Sequence, residues 1–267
     1  MSNTSSNKTP SVIGIFDSGL GGLTVLNQLK SDYKTNQFIY FGDTAHLPYG
    51  TKGKDSIIKF SDNIVQFLIS KGADIIIIAC HTASAVALPF LKEKYNIPII
   101  GVVESSINTA IHSTQSNKIV ILGTHTTISS HSYRDKILNK NNKIQVHEIQ
   151  CPLFVPIVEE GLEDSQLSLL AAKLYLHDIN DINIDTMILG CTHYPILINT
   201  IKKVIRDDIN IIDTGLAISH NLEHYIIPSN ELNTVDSYYV TDIPYRFNQL
   251  ASKFLKYNIM DIQHVSL

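Results

Sequence analysis

Short runs of β-branched and aliphatic residues alternate along the chain with longer stretches whose apolar positions recur every three or four residues. The short runs fall at 12–16 (VIGIF), 38–42 (FIYFG), 74–79 (DIIIIA), 97–103 (IPIIGVV), 118–123 (KIVILG), 144–149 (KIQVHE), 186–190 (TMILG) and 209–213 (INIID), and they predict strands. The periodic stretches lie near 22–33, 54–71, 83–95, 104–115, 126–140, 164–178, 194–207, 215–226 and 244–257, several with Gly or Asn near an end, and they predict helices. Strands that alternate with helices call for crossover connections, so the expected class is α/β with doubly wound, parallel sheets.

The two halves share a layout. ILGTHTTISS at 121–130 follows a strand and opens a helix as IFDSGLGGLT does at 15–24, and GCTHYP at 190–195 sits after a strand as ACHTAS does at 79–84. Two similar α/β domains are therefore expected, residues 12–103 with 214–267 as the first and 104–213 as the second, behind a disordered leader at 1–11.

Composition narrows the function classes. The 267 residues are long enough for one large or two compact domains, and at 44% hydrophobic the chain can bury a core. Lys and Arg total 21 against 25 Asp and Glu, a net charge of −4, with no run of four or more Lys/Arg. Nucleic acid is not expected as a partner. The longest purely apolar run, Ile75 to Cys80, is far short of the roughly 20 residues of a membrane helix, so no membrane association and a cytoplasmic location are expected. Three widely spaced cysteines form no disulfide framework and read as thiols.

The polar motifs fall after predicted strands, where ligands collect in open parallel sheets. Asp17-Ser18-Gly19-Leu20-Gly21-Gly22 is a tight turn, although such a turn can also merely join a strand to a helix with Asp17 as its cap. Gly42 to Gly50, which ends in Pro48-Tyr49-Gly50, reads as a substrate loop, or else as a turn whose Asp43 and Thr44 bond their own backbone. Cys80 ends the most apolar strand and precedes His81-Thr82-Ala83-Ser84; Cys191 holds the matching place in Gly190-Cys191-Thr192-His193-Tyr194-Pro195. A single such cysteine reads as a small buried hydrophobe, and Cys151 keeps that reading. Two cysteines at strand ends, each expected at a helix N-terminus and each followed within two residues by an imidazole, suggest reactive thiols.

Two facing thiols suit a racemase. One removes the α-hydrogen of an amino acid from one face and the other returns a proton to the opposite face, with roles exchanged for the other enantiomer. A free thiol has a pKa of about 8.5, so each needs help; Asp17 and His193 are the candidate neighbours. A Cys/His metal-binding module is the reading from another class, but Cys80, His81, Cys191 and His193 lack the close pairs of structural zinc sites. A Cys-His hydrolase would leave one thiol without a task.

IGIFDSGLGGLTVL (13–26), YFGDTAHLPYG (40–50), ACHTASA (79–85), IPIIGVVE (97–104), LGTHTTI (122–128), CPLFVPIVEEG (151–161), LGCTHYP (189–195) and IIDTG (211–215) resemble, in order, the glutamate racemase family of cofactor-independent aspartate/glutamate racemases. The resemblance implies two α/β domains with the active site in the cleft between them, and pyridoxal-independent interconversion of L- and D-glutamate with no metal, supplying D-glutamate for peptidoglycan. Carried over by position, Cys80 and Cys191 are the acid/base pair and Asp17, Glu159 and His193 assist them. Asp17, Ser18, Pro48, Tyr49, Gly50, Thr82, Thr124, Thr127, Thr192 and His193 contact the small-molecule substrate, and a homodimer is the expected assembly. An aspartate or broader acidic amino-acid racemase is the sibling reading. The chain departs from the family at His81, where Asn is usual; His81 is expected to donate to a substrate carboxylate. The acidic pair Glu159-Glu160 could equally cap a helix, and the remaining histidines read as solvated or hydrogen-bonded surface residues.

Overall fold

The computed structural model describes residues 11–227, 235–243, 247–255 and 261–267. The chain runs β1 (Val12–Asp17), α1 (Leu23–Asp32), β2 (Gln37–Gly42), α2 (Lys54–Ser70), β3 (Ile75–Ile78), α3 (His81–Val86), α4 (Leu88–Lys94) and β4 (Ile99–Gly101). It continues through α5 (Val102–Ser113), β5 (Lys118–Gly123), α6 (His125–Ser129), α7 (Ser132–Lys140), β6 (Gln145–Gln150), α8 (Phe154–Glu159), α9 (Gln166–Leu176), β7 (Thr186–Gly190), α10 (Ile198–Lys202) and β8 (Asn210–Ile212). Then come α11 (Thr214–Leu222), β9 (Ser237–Val240), α12 (Phe247–Leu255) and β10 (Ile262–His264).

Two parallel sheets result. One has six strands in the order β10-β9-β2-β1-β3-β4, and the other has four in the order β6-β5-β7-β8. The period of two along each strand divides its side chains between two faces. Ile75 and Ile77 of β3 pack with Leu23, Leu26 and Leu29 of α1, whereas Ile76 and Ile78 pack with Ile57, Ile64 and Leu68 of α2. A strand covered on both faces has no polar side, which is why β3 reads as four consecutive isoleucines, all buried. The second sheet is built the same way: Val120 and Leu122 of β5 join the first cluster, and Ile119 and Ile121 pack with Ile107, Tyr133 and Ile137. The first cluster is continuous across both sheets. Among the described residues, no helix is long and apolar enough to cross a membrane.

Several elements differ from the sequence expectation. The helix expected over 83–95 is two, α3 and α4, which share Ala87 as a boundary, with Pro89 in the first turn of α4; proline has no N–H to carry the helical ladder across that point. The helix expected over 126–140 breaks at His131, whose φ is +52°. The stretch at 194–207 holds a 3-10 turn, Tyr194–Leu197, and the short α10. Helix α8 was not expected, because Pro156 within it reads as a breaker, and the strands β9 and β10 are too short for their alternation to stand out. Of the helix expected at 244–257, residues 244–246 and 256–257 lie outside the described residues. Ser11, placed in the leader by the sequence expectation, is held by the fold. Ser11 is buried, its backbone N–H donates to Ile227 O and its Oγ accepts from Ile227 N; residues 1–10 lie outside the described residues.

The strands are in register at their carboxyl ends: Asp17 pairs with Gly42 on β1 and β2, and Gly123 pairs with Gly190 on β5 and β7. The β5–β7 approach depends on glycine, since a Cβ on Gly190 would stand 2.6 Å from the Leu122 carbonyl oxygen. Backbone cannot yield as a flexible side chain can. Gly190→Ala is expected to destabilise the protein by about 2 kcal/mol, as overpacking does, lowering the melting temperature by roughly 4–8 °C. Thermal denaturation checks this, and an unchanged midpoint refutes the steric account.

Candidate active site

The loops after β1, β2 and β3 meet those after β5 and β7. Asp17, at the end of β1, is fully buried, and its carboxylate accepts from the backbone N–H of Gly22, the N-cap residue of α1. Its Oδ2 accepts from Gly19 N at 3.0 Å, and its Oδ1 accepts from Thr192 Oγ1 of the opposite sheet at 3.4 Å. The glycine turn is held from below by Tyr40, whose hydroxyl donates to Gly19 O at 2.9 Å. Gly21 permits the two sheets' loops to touch: a Cβ there would lie 2.3 Å from Thr192 Oγ1 and 2.7 Å from His193 Nδ1.

The loop after β2 is organised by Asp43. Its carboxylate accepts from the Tyr49 hydroxyl at 2.6 Å, His46 Nδ1 at 2.8 Å and Thr241 Oγ1 at 2.8 Å. Thr44–His46 is a 3-10 turn closed by His46 N on Asp43 O at 3.1 Å, but the Asp43 and Thr44 side chains bond to other side chains and to the Asp242 backbone and not to their own backbone. The Leu47–Pro48 peptide is cis, and Gly50 O accepts from Thr126 Oγ1 at 2.8 Å, which joins this loop to α6.

Cys80 follows β3 as the N-cap of α3, its sulfur accepting from Ala83 N at 3.4 Å and donating toward Ser18 Oγ at 3.6 Å. Cys191 follows β7, but no α-helix begins there; it stands in a turn whose Tyr194 N bonds back to Cys191 O at 3.2 Å. Its polar neighbour is a side chain. His193 Nδ1 lies 3.9 Å from Cys191 Sγ, and His193 Nε2 meets Glu159 Oε1 at 3.2 Å. Glu159 is the last residue of α8, so its position at a helix end is also its route to the site.

One small cavity brings together most of the expected set: Ser18, Pro48, Tyr49, Gly50, Cys80, His81, Thr82, Thr124, Cys191, Thr192 and His193, with Leu47 and Val155. Asp17, Glu159 and Thr127 sit behind this lining, each bonded to one of its members. Thr82 Oγ1 lies 3.1 Å from Thr124 Oγ1 and 2.9 Å from Thr127 Oγ1, a hydroxyl triangle that spans both sheets. Cys80 and Cys191 are buried, as small hydrophobes would be, yet they line the same cavity. Cys151 is fully buried in the core, and its sulfur makes a long contact to Ile149 O at 3.8 Å. Asp43, Tyr40 and Tyr133, which meets His81 Nδ1 at 2.5 Å, were missed in the sequence. Only Asp43 had a signal there, its place in the GDTAHLPYG loop.

Burial and charged neighbours set the electrostatics of the site. Burial, then the Asp17 carboxylate, pushes Cys80 up to about 12 against the opposing hydrogen bonds of Ala83 and Ser18. Burial also raises Asp17, countered first by the charge of His193. For His193, burial pulls down, but its bonds to Cys191 and Glu159 outweigh that and carry it up to about 10. Burial alone lowers His81 to about 3, so it is neutral. Among the described residues, no group of three or more His, Cys, Asp or Glu is arranged to hold a metal ion.

Residues 24–220 match the family model described as Asp/Glu/Hydantoin racemase. A glutamate racemase of Geobacter metallireducens is 37% identical over 96% of this chain and 96% of its own length. One from Persephonella marina is 46% identical over 77% of this chain and 78% of its own length. Among solved structures, glutamate racemase from Francisella tularensis in complex with D-glutamate superposes with a TM-score of 0.90 at 38% identity, covering 96% of this chain and 98% of that one.

His193 is expected to remain protonated through neutral pH and to lose its proton near 10, while Glu159→Gln moves that midpoint down toward the ordinary 6.5. The folded value lies above the unfolded one. The contribution to stability is therefore full below pH 6.5 and fades as pH rises through 10. An NMR titration of the imidazole checks this, and a wild-type midpoint below 7 refutes it.

Proposed function

The chain belongs to the Asp/Glu/hydantoin racemase family, and from that premise we propose that it interconverts L- and D-glutamate by proton transfer between two cysteines at the α-carbon, supplying D-glutamate for peptidoglycan. One observation carries this reading. Two buried thiols, one from each sheet, line a single cavity together with hydroxyls and backbone suited to a small zwitterion.

In one direction a sulfur takes the α-hydrogen as a proton, the electron pair of the C–H bond passes into the carboxylate as an enediolate, and the other thiol gives its proton to the opposite face. Net composition is unchanged, and the two sulfurs exchange protonation states, so the reverse reaction starts from the state the forward one leaves. Roles follow the neighbours. His193, positively charged beside Cys191, supplies the environment in which thiolates form. Cys80, buried and with the Asp17 carboxylate near it, is held as the thiol and serves first as the acid. Glu159 keeps His193 charged, and Asp17 assists at Cys80. Ser18, Pro48, Tyr49, Gly50, His81, Thr82, Thr124, Thr127, Thr192 and His193 hold the substrate in this reading, with Asp17 as a partner for its ammonium. Neither pyridoxal nor metal is needed in this scheme. Assembly as a homodimer and action in the cytoplasm belong to the same reading and rest on kinship with the family.

The cofactor-free protein in deuterated water is expected to exchange the α-hydrogen of glutamate in both enantiomers and to leave aspartate largely unchanged. Cys80→Ala and Cys191→Ala are each expected to lower kcat by about 10²–10⁴-fold, the usual worth of a positioned acid or base. Racemisation persisting in either variant sinks the two-thiol scheme, and faster exchange of aspartate reassigns the substrate.

A further inference from the structure

His81 is the first residue of α3, directly after Cys80, and the residue is 2% exposed. Its Nδ1 meets the hydroxyl of Tyr133, on α7 of the opposite sheet, at 2.5 Å, and the two rings lie stacked at 6.2 Å. Its Nε2 is buried and has no hydrogen-bond partner. A buried ring nitrogen without a partner is costly and calls for an explanation. Of the described residues with such an unpartnered side-chain atom, His81 is the one that lines the cavity holding both cysteines.

We propose that Tyr133 is a positioning residue: its phenol O–H donates to His81 Nδ1, fixes the imidazole as the tautomer with the proton on Nε2, and so presents that N–H to a carboxylate of the substrate. The assignment deepens the racemase reading and rests on it for the acidic substrate. The direction of the Tyr133 bond follows from donor and acceptor strength. A phenol is a better donor than a neutral imidazole, and an imidazole nitrogen is a better acceptor than a phenol oxygen. A 2.5 Å separation falls in the range of O–H donors and below the usual range of N–H donors. Ser106 also reaches the phenol, but an alcohol oxygen is a weaker acceptor than an imidazole nitrogen, and the Ser106 hydroxyl itself donates to Val102 O at 2.8 Å.

Charge agrees with this geometry. Burial keeps His81 neutral and holds Tyr133 protonated, so neither changes form near neutral pH. An Nε2–H group has one use in a cavity for an acidic amino acid, since the ammonium cannot accept a hydrogen bond and each carboxylate can. A neutral donor fixes the carboxylate without adding a second cation to the cavity that His193 already lines. The bond from α3 to α7 also ties together the two sheets on either side of the substrate.

The test has two arms on the full chain. Nitrogen-15 NMR of the wild type at neutral pH is expected to show His81 with a directly bonded proton on Nε2 and a lone pair on Nδ1; the opposite tautomer overturns the assignment. Tyr133→Phe is expected to raise KM for glutamate about tenfold, the scale of one oriented hydrogen bond, with kcat within about twofold. In a His81→Asn background the same change is expected to add nothing, as for residues acting in series. An equal loss in both backgrounds makes Tyr133 merely structural and overturns the proposal. If Tyr133→Phe fails to fold, the tautomer measurement decides alone. That measurement needs no turnover, so absent racemisation would sink the proposed function while leaving the His81–Tyr133 assignment standing.

Discussion

A thiol removed from water takes its charge from whatever stands next to it, and in this fold the two sheets put opposite neighbours beside two otherwise similar sulfurs. Cys80 has the Asp17 carboxylate near it, and the energetic cost of ionising it in its buried place is high. Cys191 has His193, which Glu159 keeps charged from behind. Desolvation is what makes the difference count, because in bulk water the same charges at the same distances would be worth about a kilocalorie per mole.

That arrangement depends on how closely the two sheets' loops approach, and glycine sets the limit. Gly21 lets the first loop lie against Thr192 and His193, and Gly50 does the same against Thr124. The contacts that result are polar and cross from one sheet to the other: Asp17 with Thr192, Thr82 with Thr124 and Thr127, Thr126 with Gly50 O, His81 with Tyr133. The apolar cluster that runs through both sheets carries the burial underneath them. Core and cleft are thus separate layers, one apolar and continuous, the other polar and divisible along the line between the loops.

The legible part of the sequence was the part written in periodicity. Four consecutive isoleucines marked a strand buried on both faces, and the spacing of Ile57, Ile64, Val65 and Leu68 marked the buried stripe of α2. The strand ends, and with them Cys80 and Cys191, followed directly. Less legible were features that depend on partners distant in the chain. Asp43 looked like a turn former, because nothing in sequence says that Tyr49, His46 and Thr241 converge on it. Tyr133 sits in an ordinary helical stretch, and only packing brings it to His81. The helix-terminus argument for Cys191 failed for a local reason: Thr192-His193-Tyr194 forms a turn before Pro195, so a side chain and not a helix dipole provides the charge there.

The cavity itself adds a last constraint. At about 20 Å³ it has room for about one water, so an amino acid can enter only if the loops part. Parting them breaks the hydroxyl triangle and the Asp17–Thr192 bond, and it admits water to both sulfurs. Closure and the exclusion of water from the cavity are thus one event, carried by the same cross-sheet hydroxyl contacts.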